Sequence, residues 1–177
     1  MLTGRLATDD EFRIELSDTS ATIDLPTGTS ALASADDFGR SPVPPGSGGM
    51  LGALVLWRRL VIEGPAAVGR TIYWGTAPRQ PAAMGTVDAA DLVDVLESAA
   101  SGVEARFTVD EAGRVVAIDL WASPDDDPCE IRLTWPAAAG QVRPMPVRLD
   151  VRRGGEPFGV FHVDSRNEAT AGRGDVP

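Results

Sequence analysis

The stretch Gly102 to Trp135, GVEARFTVDEAGRVVAIDLWASPDDDPCEIRLTW, constrains the fold more than any other part of this chain. In its first run Val103, Ala105, Phe107 and Val109 alternate with Glu104, Arg106 and Thr108. In its last, Ile131, Leu133 and Trp135 alternate with Arg132 and Thr134. Successive side chains of a strand point to opposite faces, so each run has a dry side and a wet side. Between the runs, Asp110-Glu111-Ala112-Gly113 supplies a glycine able to take positive φ, and Ser123 to Pro128 makes a wider acidic turn. Alternating runs joined by turn clusters predict an antiparallel meander with one apolar face. Nothing in the stretch names a chemistry.

The flanking sequence extends that sheet. Phe12 to Leu16 and Ala21 to Leu25 alternate about the turn-formers Ser17-Asp18-Thr19-Ser20, which predicts a hairpin. Pro26 to Gly49 is rich in Gly, Pro, Ser and Asp and reads as a long flexible loop. Met50 to Ile62, MLGALVLWRRLVI, carries charge only at Arg58 and Arg59. A helix apolar around nearly its whole circumference is a buried one, and Gly64-Pro65 stops it. The β-branched residues near its end leave a strand over 60–63 as an alternative. Arg70 to Thr76 reads as a short strand. A second helix is expected over Asp88 to Ala99, capped by Thr86 or Asp88, because Leu92, Val95, Leu96 and Ala99 follow the 3/4 spacing of an amphipathic face. Val147, Leu149 and Val151 alternate with Arg148, Asp150 and Arg152, and Phe158 to Val163 returns after a turn at Arg153 to Glu156.

The fold class expected is therefore α+β: seven or eight strands in a curved antiparallel sheet, half-barrel-like, with two helices packed on its concave apolar face. Residues 1–163 make one domain with 26–49 as its flexible loop, and 164–177, without periodic apolar residues, read as a disordered tail.

Charge and rare residues remove several function classes. The 26 acidic and 16 basic residues of this 177-residue chain give a net charge of −10, which works against phosphate-backbone binding, so no nucleic-acid partner is expected. Every basic residue is arginine, so neither a Schiff-base lysine nor a P-loop lysine exists here. Cys129 and His162 are the only residues of their kinds, which excludes intrachain disulfides and multi-cysteine metal sites; no metal or other cofactor is expected. The opening MLTGRLATDDEF lacks a basic-then-apolar leader, and the longest apolar run, Met50 to Trp57, is too short to span a bilayer. The expectation is a soluble chain with no membrane span, cytoplasmic as written and periplasmic if an export signal precedes it.

Candidate chemical groups each have a plain structural reading. Gly46-Ser47-Gly48-Gly49 superficially resembles the surroundings of a serine-protease nucleophile, but one residue is missing and the sole histidine sits in an expected strand; a flexible loop is favoured. Asp125-Asp126-Asp127 lacks the ligand alternation of a calcium loop and reads as a solvated turn. Acidic neighbours of Cys129 favour a structural thiol over a nucleophile. The most suggestive set is aromatic: Trp57, Trp74, Trp121 and Trp135 could line an apolar ligand cavity, although core packing is their commoner use.

Three blocks, TIYWGTAP, GVEARFTVDEAGRVVAIDLWASPDDDPCEIRLTW and MPVRLDVRRGGEPFGVFHV, resemble a non-catalytic domain appended to planctomycete-type, trypsin-like (HtrA-type) serine proteases. The resemblance covers about residues 69 to 163. It implies a shape similar to the lipoprotein-carrier (LolA/LolB-like) half-barrels, with helices in the hollow of a curved sheet, and it carries over no catalytic residue. The functional expectation is a non-enzymatic accessory or binding domain, partner module of a trypsin-like serine protease. Its alternatives are a carrier of an apolar or lipid ligand in the hollow, and a serine hydrolase fragment using Ser47.

Overall fold

Each alternating run becomes a strand, and all of them join a single antiparallel sheet. In this computed structural model the described residues are 1–34, 38, 42–78, 92–100, 102–136 and 145–164. They form β1 (Leu2–Leu6), β2 (Glu11–Leu16), β3 (Ala21–Leu25), β4 (Gly28–Leu32), α1 (Met50–Glu63), a 3-10 turn (Pro65–Val68), β5 (Arg70–Pro78), β6 (Leu92–Ala100), β7 (Val103–Val109), β8 (Val115–Trp121), β9 (Cys129–Thr134), β10 (Arg148–Arg153) and β11 (Glu156–Val163). The spatial order is β4-β3-β2-β1-β11-β10-β9-β8-β7-β6-β5, so sheet neighbours are sequence neighbours everywhere except where β1 meets β11, and β4 and β5 form the two edges.

Two expectations are corrected. The fold is not a sheet with two helices: the described residues contain one α-helix, and the sheet has 11 strands. The helix expected over Asp88 to Ala99 is strand β6 from Leu92 onward, while 88–91 lie outside the described residues. Leu92 and Leu96 are four residues apart, a spacing that both a helix face and a strand face satisfy. The β-branched Val93 and Val95, together with strands available on both sides for pairing, decide for the strand. The loop expected over 26–49 gives up Gly28–Leu32 to β4, which pairs with β3. β1 was not expected at all; Leu2 is its buried core residue, and its Gly4 lies opposite Phe12 of β2. The expected tail over 165–177 lies outside the described residues.

Direction follows from parity. Ten antiparallel pairings separate β4 from β5, so the two edge strands point the same way. A chain leaving the end of β4 must return to the opposite end of the sheet to begin β5. The helix α1 makes that return; its 14 residues span about 21 Å, comparable to the length of the strands. It packs against β2, β3 and β4 on one side and β8 and β9 on the other.

Met50 through Trp57 are buried without a break. Eight consecutive helical residues cover the whole circumference, so the sheet must bend around α1 rather than lie flat beneath it. The bend stops short of closure, because β4 and β5 do not pair. Inward residues such as Ile14, Ile23, Phe107, Ile118, Ile131 and Phe161 meet the helix in one core. Arg58 forms an ion pair with Asp18, and the Arg59 Nε donates to the Asp18 carbonyl at 2.6 Å, which ties the far end of α1 to the β2–β3 turn.

Candidate functional site on the outer face

The outer face is built by the residues left over from the core alternation. Register places Ile72, Glu97, Arg106, Asp119, Glu130 and Arg152 in one row across β5 to β10. Facing residues in such a row lie within reach of each other, and opposite charges stabilise the pairing. Arg106 Nε donates to Glu97 at 3.1 Å, and Arg132, one row away, pairs with Asp119 at 2.6 Å. Burial pushes the Asp119 carboxyl above its ordinary range; Arg132 opposes the rise and Glu130 adds to it.

At the centre of this face Arg106 lies between two indoles. Its guanidinium carbon is 5.4 Å from the Trp74 ring centre and 5.1 Å from that of Trp121, within cation–π range of both. Trp121 faces outward because Leu120 before it is buried. Trp74 reaches the same face through a bulge: Tyr73 pairs with Leu96 and Gly75 with Val95, which leaves Trp74 as the extra residue. Gly75 has φ +131°, a conformation L side chains rarely take, so this position suits glycine. Trp74 is 57% exposed.

Beside Trp121 lies a groove of about 360 Å³ whose lining does not include Arg106. Ala99, Ala100, Val103, Trp121 and Pro124 give it an apolar lining, and Glu104 is the charged residue in that lining. A larger groove of about 630 Å³ lies against β1, β2 and β3, lined by Arg5, Glu11, Arg13 and Asp24 among others. Its arginines are already taken up in ion pairs with Asp9 and Glu15, and the aromatic residue in its lining, Phe12, is a buried core side chain.

The four tryptophans do not converge on one cavity. Trp57 is in the core on α1, 5% exposed, and its indole N–H has no hydrogen-bond partner among the described residues. Trp74 and Trp121 share the outer face around Arg106. Trp135, at the end of β9, donates from Nε1 to the Val115 carbonyl at 2.8 Å and lies under Arg114. The helix expected over 50–62 does pack against the concave side of the sheet, as α1.

The remaining candidate groups sit in structural positions. The Ser47 hydroxyl is buried; it donates to the Pro44 carbonyl at 2.7 Å and accepts the Gly49 and Met50 amides at 3.2 and 3.1 Å, which holds the turn that leads into α1. His162 is exposed on β11, in register with Arg5 and Arg148. Cys129 is buried, and burial, with Asp119 and Glu130, pushes its thiol up to about 12. Among the described residues no three His, Cys, Asp or Glu side chains are grouped to hold a metal, and no helix is long and apolar enough to cross a membrane. Arg106 is the residue that sequence reasoning missed. Its outward position was readable, but its two aromatic neighbours come from strands whose register is set by the β5 bulge.

No family model matches this chain, and neither a curated protein nor a solved structure matches it. The protease-appended domains and the lipoprotein carriers are therefore not linked to it by any such match.

Proposed function

We propose that this chain is a non-enzymatic binding domain that docks a protein partner on the outer face of its sheet, around Trp74, Arg106 and Trp121. One observation carries the reading: α1 fills the hollow while two tryptophans stand outward around a charged, partly exposed arginine. Tryptophan and arginine are the side chains that dominate binding energy at protein interfaces, and large exposed aromatics are costly unless something covers them. A lipid carrier needs free volume beside the helices in its hollow, and the eight consecutive buried residues of α1 favour a packed hollow over a vacant one. A serine nucleophile needs an accessible hydroxyl with a base beside it, whereas Ser47 is buried and held by backbone groups. The resemblance to protease-appended domains makes a trypsin-like protease module the first partner to try.

Hydroxyl-radical footprinting tests the reading. Oxidation of Trp74 should fall several-fold when the chain is returned to an extract of its own cells, relative to the purified chain at equal dose. Equal oxidation in both settings removes the docking surface from this face.

A further inference from the structure

Resting on that reading, we propose that the groove beside Trp121 receives an arginine side chain from an extended segment of the partner. Three features define the occupant. First, Trp121 already holds one guanidinium, that of Arg106, at 5.1 Å, and Arg106 does not line the groove. The groove therefore offers a second cation a place beside an indole that this protein already uses for that contact. Second, the lining contributed by Ala99, Ala100 and Val103 is apolar. An arginine lays its aliphatic stem on such a surface while its head stays in water.

Third, the lining holds one exposed carboxylate, and two more follow it along the chain just beyond Pro124. Glu104 is exposed and makes no ion pair among the described residues. Pro124 is followed directly by Asp125 and Asp126, both exposed. The chain as a whole carries −10, so its field draws cations toward these carboxylates and repels acidic partners. Charge complementarity thus selects a basic segment over an acidic one, and the planar guanidinium suits the indole better than an ammonium does.

The test titrates the full chain with a heptapeptide alternating glycine and arginine, following tryptophan emission and amide shifts. Binding on the order of 10–100 μM is expected, with shifts centred on Trp121, Ala99, Ala100 and Val103. The same peptide with glutamate in place of arginine should not bind. Glu104→Gln combined with Asp125→Asn and Asp126→Asn should weaken binding by about tenfold. Glu11→Gln with Asp24→Asn, on the other groove, should leave it unchanged. All five positions are surface carboxylates, and an unchanged amide spectrum in the free variants establishes that they fold.

Absence of arginine-peptide binding, equal binding of the glutamate peptide, or equal weakening by both sets of variants overturns the proposal. Trp74 protection in extract without arginine-peptide binding sinks this inference alone. Arginine-peptide binding without protection of Trp74 sinks the docking reading instead.

Discussion

Arg106 carries its guanidinium carbon 5.1 Å from the centre of the Trp121 ring, on the face of the sheet opposite the core. With Trp74 at 5.4 Å on its other side and Glu97 accepting from Nε, the side chain is fixed by three neighbours from three different strands. Arg106→Ala should lower stability by about 1 kcal/mol, the scale of a partly exposed cation–π contact. Arg106→Lys should recover only part of the loss, because an ammonium cannot stack on two rings and donate to Glu97 in the same plane. Urea denaturation at fixed pH measures both.

Asp110 and Arg114 lock the β7–β8 hairpin. Asp110 Oδ1 accepts the Ala112 and Arg114 amides at 3.0 and 2.9 Å, while Oδ2 accepts Arg114 Nε at 2.9 Å. Burial alone would raise this carboxyl, but the Arg114 guanidinium and the two amides outweigh it and hold it below the usual range. A depressed folded value stabilises the protein above the unfolded pKa near 4, and the contribution disappears as pH falls through the folded value. Asp110→Ala should therefore cost about 2 kcal/mol at neutral pH, with the difference from wild type shrinking as the carboxyl protonates. Paired denaturation curves from neutral to acid pH check the sign; a difference that grows on acidification would contradict it.

The Cys129 thiol, pushed up to about 12 mainly by burial, is protonated at every physiological pH. Ellman's reagent at mildly alkaline pH should leave the native chain unmodified. In strong denaturant it should react with one equivalent of thiol, since Cys129 is the single cysteine.

Gly4 sits at the seam where the first strand meets the last, opposite Val163. A Cβ there would overlap the His162 carbonyl oxygen, and that oxygen belongs to backbone that cannot rotate away. Gly4→Ala should cost about 3 kcal/mol or more, by parting β1 from β11. Thermal unfolding measures it, and Thr3→Ala on the same strand serves as the control.

The sequence makes the meander, the β2–β3 hairpin and the closing hairpin legible because in each an apolar alternation is framed by turn residues, and it makes the helix from Met50 legible because a long, almost uncharged run ends at Gly64-Pro65. It misleads at 92–99, where leucines four apart serve either period and only the pairing of β6 with β5 and β7 resolves the choice. Short β4 and β1 escape notice because neither carries enough apolar residues to show a period; their place is set by pairing with β3 and β11. The tryptophans stand out as residue types, but which of them point outward depends on a bulge and a register that no local pattern encodes.

The central claim is that α1 occupies the hollow, so that recognition belongs to the outer face. Titrating the full chain with a dansyl-labelled undecanoic acid tests it most directly. The account predicts no saturable rise in probe emission up to ~100 μM. Saturable uptake at micromolar concentration by the wild-type chain, displaced by unlabelled fatty acid, would contradict it.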